Sequence, residues 1–264
     1  MTYAYPVLSR RAGGISIGIN LNPNNACNWR CIYCQVPDLK RGGAPPIDLP
    51  QLEAELGRLL DDILPGRFLE DRTPSAGLRL IDVAFSGNGE PTSAKEFPEA
   101  VGVAQAALVV RGLSGEVKLR LITNGSLIDR VSARAGIARL GSAGGEVWFK
   151  LDAATPAAMA RINGVRLRID SVERRLAQCA SLCETWVQTC VFALDREAPQ
   201  KPDLSALLSL LGRLRGVVAG VHLYGLARPS QQPEAARVLR LPPQWLEAFA
   251  ERIRKIGLTV RVSP

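Results

Sequence analysis

The chain has 264 residues, 47% hydrophobic and 22% charged, an ordinary composition for a globular protein with a sizeable core. Apolar runs such as residues 106–110 stop far short of a membrane span. The stretch 1–11 has no apolar segment before its arginines, so no secretory leader is expected and a cytoplasmic location is the default. The formal net charge is +8, with only six lysines among 33 basic residues. Such a balance admits a polyanionic partner. Arginines such as Arg134, Arg139, Arg174, Arg175, Arg252 and Arg254 are scattered, however, and read first as solvated helix faces. The six cysteines are not a disulfide framework. They fall into two groups: Cys27, Cys31 and Cys34, then Cys179, Cys183 and Cys190.

In chain order, residues 14–21 (GISIGINL) predict a first strand, followed by a loop that holds the early cysteines. A helix is predicted over 49–64, with Asp48 and Pro50 in N-cap and first-turn roles. A strand over 78–85 runs into SGNGEPT at 86–92. Helix 94–111 and strand 117–122 follow, and that strand ends in TNG. Helix 128–140, strand 146–151, helix 171–184 and strand 186–193 continue the alternation. Helix 204–214, strand 217–224, helix 243–256 and a terminal strand over 258–262 complete it. Pro- and Gly-rich pieces at 41–50 and 229–243 read as long loops inside one domain spanning 1–264.

About six βα units predict a parallel sheet with crossover helices, either open or closed into a barrel. Almost every unusual cluster falls just after a strand, the edge where barrel enzymes gather their catalytic loops. One shared site is therefore expected there.

Cys27, Cys31 and Cys34 form a C-x3-C-x2-C triplet in a loop placed at 25–36. Three thiolates can each take a corner iron of a cubane cluster and leave the fourth iron open. A closed zinc site needs a fourth ligand, and the only histidine, His222, is far away in sequence. A metal-binding or electron-carrying protein without catalysis remains the alternative.

The triplet, with Tyr33 before its last cysteine, resembles the signature of the radical S-adenosylmethionine (SAM) superfamily. SGNGEPT, with Gly87, Asn88, Gly89 and Glu90, resembles the family's Gly-Gly-Glu motif. Thr123 and Asn124 after the third strand, and Lys150 and Asp152 after the fourth, resemble further SAM-contacting positions. The resemblance covers about residues 14–153. It implies a partial (β/α)6 barrel of the TIM type with a C-terminal extension from about 226. It also implies an oxygen-sensitive [4Fe–4S] cluster on Cys27, Cys31 and Cys34, with SAM chelated to the open iron. SAM would be cleaved to a 5′-deoxyadenosyl radical that abstracts hydrogen from a substrate. A flavodoxin- or ferredoxin-like electron donor is implied as a partner.

The wording SGNGEPT and KLDA is most similar to the branch that includes the wyosine-base synthases acting on tRNA. No cysteine precedes Cys27 for a second cluster, and residues 161–166 depart from the related INRP wording at Gly164 and Val165. Fold and SAM chemistry are thus implied, and the substrate stays open between a small polar metabolite and an RNA base. Activation of a glycyl-radical enzyme is a further alternative. Cys179, Cys183 and Cys190 straddle a helix and a strand and read as core residues rather than a second cluster. On the substrate side, His222 and Tyr224 lie two apart on one strand and share a face. Arg228 in the following loop suits a carboxylate or phosphate, and Gln188 on the preceding strand is a weaker candidate.

Overall fold

The computed structural model describes residues 1–9, 14–64 and 79–264. Arg10 and Arg11 of the N-terminal reading, and Leu78 at the start of the second expected strand, lie outside them. Eight strands form the main sheet: β1 (Ala4–Ser9), β2 (Gly14–Ile19), β3 (Leu80–Phe85), β4 (Lys118–Thr123), β5 (Glu146–Lys150), β6 (Glu184–Cys190), β7 (Gly220–Tyr224) and β8 (Val260–Ser263). They are ordered in space as in sequence, and every neighbouring pair after the antiparallel β1–β2 is parallel. The sheet curls into an open half-barrel. Its crossovers carry α1 (Leu49–Ile63), α2 (Phe97–Val109), α3 (Val131–Ser142), α4 (Pro156–Asn163), α5 (Ile169–Leu182), α6 (Lys201–Arg213) and α7 (Pro243–Lys255).

The apolar pattern explains the layers. All six residues of β2 are buried, as expected of a strand covered on both faces. On α1, Leu52, Leu56, Leu59, Leu60 and Ile63 are buried at helical spacing, and the Asp48 side chain caps the first turn by accepting from Gln51 N–H (2.9 Å). Segment 226–264 does not stand apart from the barrel: α7 and β8 extend it, with β8 pairing along β7. Among the described residues no helix is long and apolar enough to cross a membrane.

Two elements depart from the sequence expectation. Strand β1 carries Pro6, which argues against a central strand; it is tolerated because β1 is the sheet's edge. Helix α4 is only eight residues long, but Thr155 caps it by accepting from Ala158 N–H (3.1 Å), and Gly164 ends it.

Strand β1 is anchored from α1. The Glu55 carboxylate, buried in the core, accepts from the backbone N–H of Thr2 (2.9 Å), Tyr3 (2.8 Å) and Ala4 (3.1 Å) and from the Gln51 amide (2.9 Å). Burial pushes this carboxyl up, but the four donors outweigh it and hold it at about 2, below its ordinary 4.5. A depressed carboxylate stabilises the fold above its unfolded value and loses that contribution as pH falls toward the folded value. Glu55→Gln is expected to cost about 3 kcal/mol at pH 7 by urea denaturation. The difference from wild type should shrink as the pH is lowered from about 4.5 to 2.

Across β3, β4 and β5, Arg120 pairs with both Asp82 and Glu146, and Ser16 on β2 donates to Asp82; all three charged groups are buried. Removing the guanidinium strands two buried carboxylates. Arg120→Ala should therefore destabilise by about 3–5 kcal/mol, read by the same denaturation.

Candidate active site around the cysteine loop

The loop after β2 holds Cys27, Cys31 and Cys34, all half-buried. Cys34 N–H bonds Cys31 C=O (3.0 Å), turning the chain between the two cysteines. The carbonyls at the end of α4 receive the loop: Asn163 C=O accepts from Arg30 N–H (3.0 Å) and Ile162 C=O from Ile32 N–H (2.9 Å). Cys27 Sγ accepts from Trp29 N–H (3.4 Å), and Cys31 Sγ from the Asn163 amide (3.3 Å). Burial pushes the Cys27 thiol up to about 11 and the Cys31 thiol up to about 12, so both stay protonated at neutral pH until a cation binds.

A cavity of about 180 Å³ is lined by all three cysteines together with Tyr33, Glu90 and Lys150, and by Gly87, Asn88, Gly89 and Asn124. The turn SGNGEPT approaches the cysteine loop closely. A Cβ on Gly89 would lie 2.1 Å from Ala26 C=O and 2.6 Å from Asn22 Cγ, so only glycine fits. Asn88 donates its side-chain amide to Asn25 Oδ1 (2.7 Å) and its backbone N–H to Asn20 Oδ1 (3.0 Å).

Glu90 is buried, and burial raises its carboxyl above the ordinary range despite four donors. Oε1 accepts from the Thr92 hydroxyl (2.6 Å), Thr92 N–H (3.1 Å) and the Thr123 hydroxyl (2.6 Å). Among the described residues Oε2 accepts only from Asn124 N–H (2.7 Å), which leaves it room for a further donor from the cavity. Thr123 thus reaches the site through Glu90 and does not line the cavity. The Asn124 amide bonds Asn28 Oδ1 (2.8 Å), tying the TNG turn to the cysteine loop.

Lys150 and Asp152 take different positions. Lys150 Nζ donates to Tyr224 Oη (3.0 Å) and sits 5.0 Å over the Tyr33 ring. Burial alone would lower its pKa, but Tyr224 and Asp152 raise it, so it stays an ammonium. Asp152 lies beside this cavity: it accepts from the Tyr33 hydroxyl, the Asn163 amide (2.7 Å) and Cys190 N–H (2.8 Å). It therefore fixes Tyr33, whose ring meets Phe192 at 5.4 Å.

Below the turn, the half-barrel encloses a chamber of about 430 Å³ that shares Val36, Ser86, Gly87, Asn88 and Ile122 with the cysteine cavity. Tyr224 and Arg228 line it. Gln188 and His222 are buried and do not. The His222 ring lies between Trp148 (4.4 Å) and Trp186 (4.8 Å).

Several site residues escaped the sequence reading. Residues 20–28 contain five asparagines, and Asn20, Asn22, Asn25 and Asn28 all hydrogen-bond within the site; that density was the available signal. Ser230, Gln231 and Gln232 bind the cysteine loop from the far end of the chain, through Ser230 Oγ to Ile32 C=O (2.7 Å), Gln231 N–H to Cys34 C=O (2.8 Å) and Gln232 Nε2 to Val36 C=O (2.8 Å). No local pattern marks them.

Among the described residues no three His, Cys, Asp or Glu side chains converge on a point that one metal ion could occupy. Zinc would need each sulfur at about 2.3 Å. Three thiols spread around one cavity without a fourth Cys or His fit a cubane cluster with one iron left for another donor. Cys179 and Cys183 are neighbours that share Thr185, and Cys190 stands apart from them. Cys179 Sγ accepts from Thr185 Oγ1 (3.5 Å), Cys183 Sγ bonds Gly145 C=O (3.3 Å), and Cys190 packs with Tyr33 and Phe192.

No family model matches the chain. Over 124 residues it is 33% identical to a Helicobacter pylori protein named UPF0026 protein, a match covering 46% of this chain and 34% of that one. It is 24% identical over 132 residues to the GTPase Obg of Brachyspira hyodysenteriae, covering 50% of this chain and 17% of that one. The chain thus spans about a third or less of these curated relatives. It contains no Gly-Lys pair, so the phosphate loop of a P-loop GTPase has no counterpart in this sequence.

Solved structures align over nearly the whole chain. A radical SAM methyltransferase from Sphaerobacter thermophilus superposes with TM-score 0.61 at 14% identity, over 99% of this chain and 77% of that one. The enzyme anSMEcpe with bound AdoMet and a peptide gives 0.58 at 17%, over 93% and 63%. Streptococcus suis SuiB bound to S-adenosylmethionine gives 0.56 at 12%, over 93% and 45%. At such identities the likeness carries the fold: this chain is built on the same open α/β half-barrel as these structures.

Proposed function

We propose that the chain is a radical SAM enzyme whose substrate is a small polar molecule held in the half-barrel chamber. The observation that carries the reading is the convergence of Cys27, Cys31 and Cys34 on one cavity with Glu90, Asn88 and Lys150, at the C-terminal edge of the strands. Cys27, Cys31 and Cys34 would hold a 4Fe–4S cluster. When bound, that cluster with SAM supplies the electron that splits SAM into methionine and a 5′-deoxyadenosyl radical.

The chain's own residues bind and position. Oε2 of Glu90, with its remaining acceptor site, suits the ammonium of SAM's methionine, and the Lys150 ammonium suits its carboxylate. Tyr33, held by Asp152 and tilted against Phe192, lines the cavity beneath the Lys150 ammonium and steadies it there. Asn124 and Asn28 keep the cysteine loop and the TNG turn in register. An electron donor of the flavodoxin or ferredoxin class would complete the system.

The decisive experiment is anaerobic reconstitution with iron and sulfide, addition of SAM and dithionite, and mass-spectrometric assay of 5′-deoxyadenosine. The wild type should form it. Cys31→Ala should lose both the cluster absorbance and the product, and retention of a full cluster in that variant overturns the ligand assignment. Gly89→Ala must push the SGNGEPT turn away from Asn22 and Ala26. It should lower stability by about 1–3 kcal/mol and reduce iron retained after desalting, read by denaturation and iron content.

A further inference from the structure

The chamber is unevenly charged. Its floor carries Asp82, Arg120 and Trp148; behind them Glu146 pairs with Arg120 and accepts from Trp148 Nε1 (2.8 Å), so two carboxylates stand against one guanidinium. Its rim carries the exposed Arg228, and no ion pair among the described residues includes it. An anionic group in the chamber is repelled by the residual negative charge of the floor and attracted to the rim.

The rim is held in place. Gln35 of the cysteine loop donates to Arg228 C=O (3.4 Å), and two residues further on Ser230 is locked to Ile32 C=O. The same chamber is lined by Tyr5 of β1. Its ring lies against Gly18, where a Cβ would come within 2.2 Å of it, and its hydroxyl faces Ser86 Oγ at 3.2 Å. One proton makes that bond; the other, on Ser86 Oγ, reaches Ala84 C=O only at 3.5 Å, a long bond that an anion in the chamber can displace. Arg228, Tyr5 and Ser86 all line the chamber, so cation and hydroxyls serve the same space. A volume of about 430 Å³ lies within the range of small-molecule sites.

We propose that the substrate carries a carboxylate or phosphate group, and that Arg228 with the Tyr5–Ser86 hydroxyl pair holds this group at the chamber rim while the rest of the molecule points to the floor. The assignment rests on reading the chamber as the substrate side of the SAM site. It is tested without SAM, by calorimetric titration of the purified protein with inorganic phosphate and, separately, with malonate at constant ionic strength. The wild type should bind at least one probe saturably, and the better probe names the group. Arg228→Gln should weaken that binding at least tenfold, Arg228→Lys should retain part of it, and Arg252→Gln, on a distant helix face, should match wild type. Equal binding by Arg228→Gln, an equal loss in Arg252→Gln, or no binding of either probe to the wild type overturns the proposal. Anion binding through Arg228 without 5′-deoxyadenosine formation by the wild type would instead remove the SAM reading and leave the anion site standing.

Discussion

Residues 25–36 turn three thiols toward one cavity, and a loop bent in this way pairs little of its own backbone beyond the bond from Cys34 N–H to Cys31 C=O. Buried N–H and C=O groups still need partners, so distant parts of the chain supply them. Helix α4 ends with unpaired carbonyls, as every helix does, and the loop's unpaired N–H groups at Arg30 and Ile32 meet two of them. The loop's carbonyls at Ile32, Cys34 and Val36 are taken by Ser230, Gln231 and Gln232. Arg41 closes the remaining gap by donating to both Asn28 C=O and Gly164 C=O. The bidentate pair of Arg30 with Glu234 (3.1 and 3.2 Å) adds a charged clasp at the same junction. The cysteine loop is therefore shaped by segments more than 100 residues away, and a change in either could alter the site without touching a cysteine.

The same demand explains the asparagines. In a crowded turn Asn offers both donors and an acceptor on a short stem. Asn22 reaches Ala26 C=O (3.0 Å) and Ser93 Oγ (3.2 Å), and Asn20 accepts from the N–H of both Asn22 and Asn88 (3.0 Å each). Asn25 adopts a positive φ of 54°, a conformation that Asn tolerates better than most residues. Together with the close approach at Gly89, these contacts press the SGNGEPT turn onto the cysteine loop. Glu90 reaches the cavity from that turn.

What was legible in the sequence was what repeats or carries a local signature. Buried strands such as β2 and amphipathic helices such as α1 announce themselves by periodicity, and the cysteine triplet and SGNGEPT by spacing. The edge strand β1 was hidden because Pro6 breaks a strand pattern and because its anchor, Glu55, lies some 50 residues away. Helix α4 was hidden by its brevity, although Thr-Pro at its start and Asn-Gly at its end were readable caps. His222 and Tyr224 share a strand face as expected, yet only Tyr224 reaches the chamber, because Trp148 and Trp186 flank the histidine. Sequence spacing gives the face of a strand; the neighbours decide which side chains on that face remain accessible.

A closed βα barrel fills its interior with layers of branched apolar side chains and leaves no chamber. Here the sheet stays open, with β1 and β8 at its two edges, and the inner face at mid-height carries Ser16, Asp82, Arg120 and Trp148. A buried ionic group of this kind is weak as a source of stability, since apolar residues of similar volume commonly do as well. Its effect is on the cavity: charged groups keep the chamber polar, where an apolar lining would favour collapse or a dry void. The chamber and the cysteine cavity are separated only by the turn at Ser86, Gly87 and Asn88, with Val36 and Ile122 at its sides. Two of those turn residues have small side chains or none. A ligand seated on the chamber side therefore lies one thin wall from the thiols, and openness, polarity and that thin wall together make the half-barrel a two-compartment site.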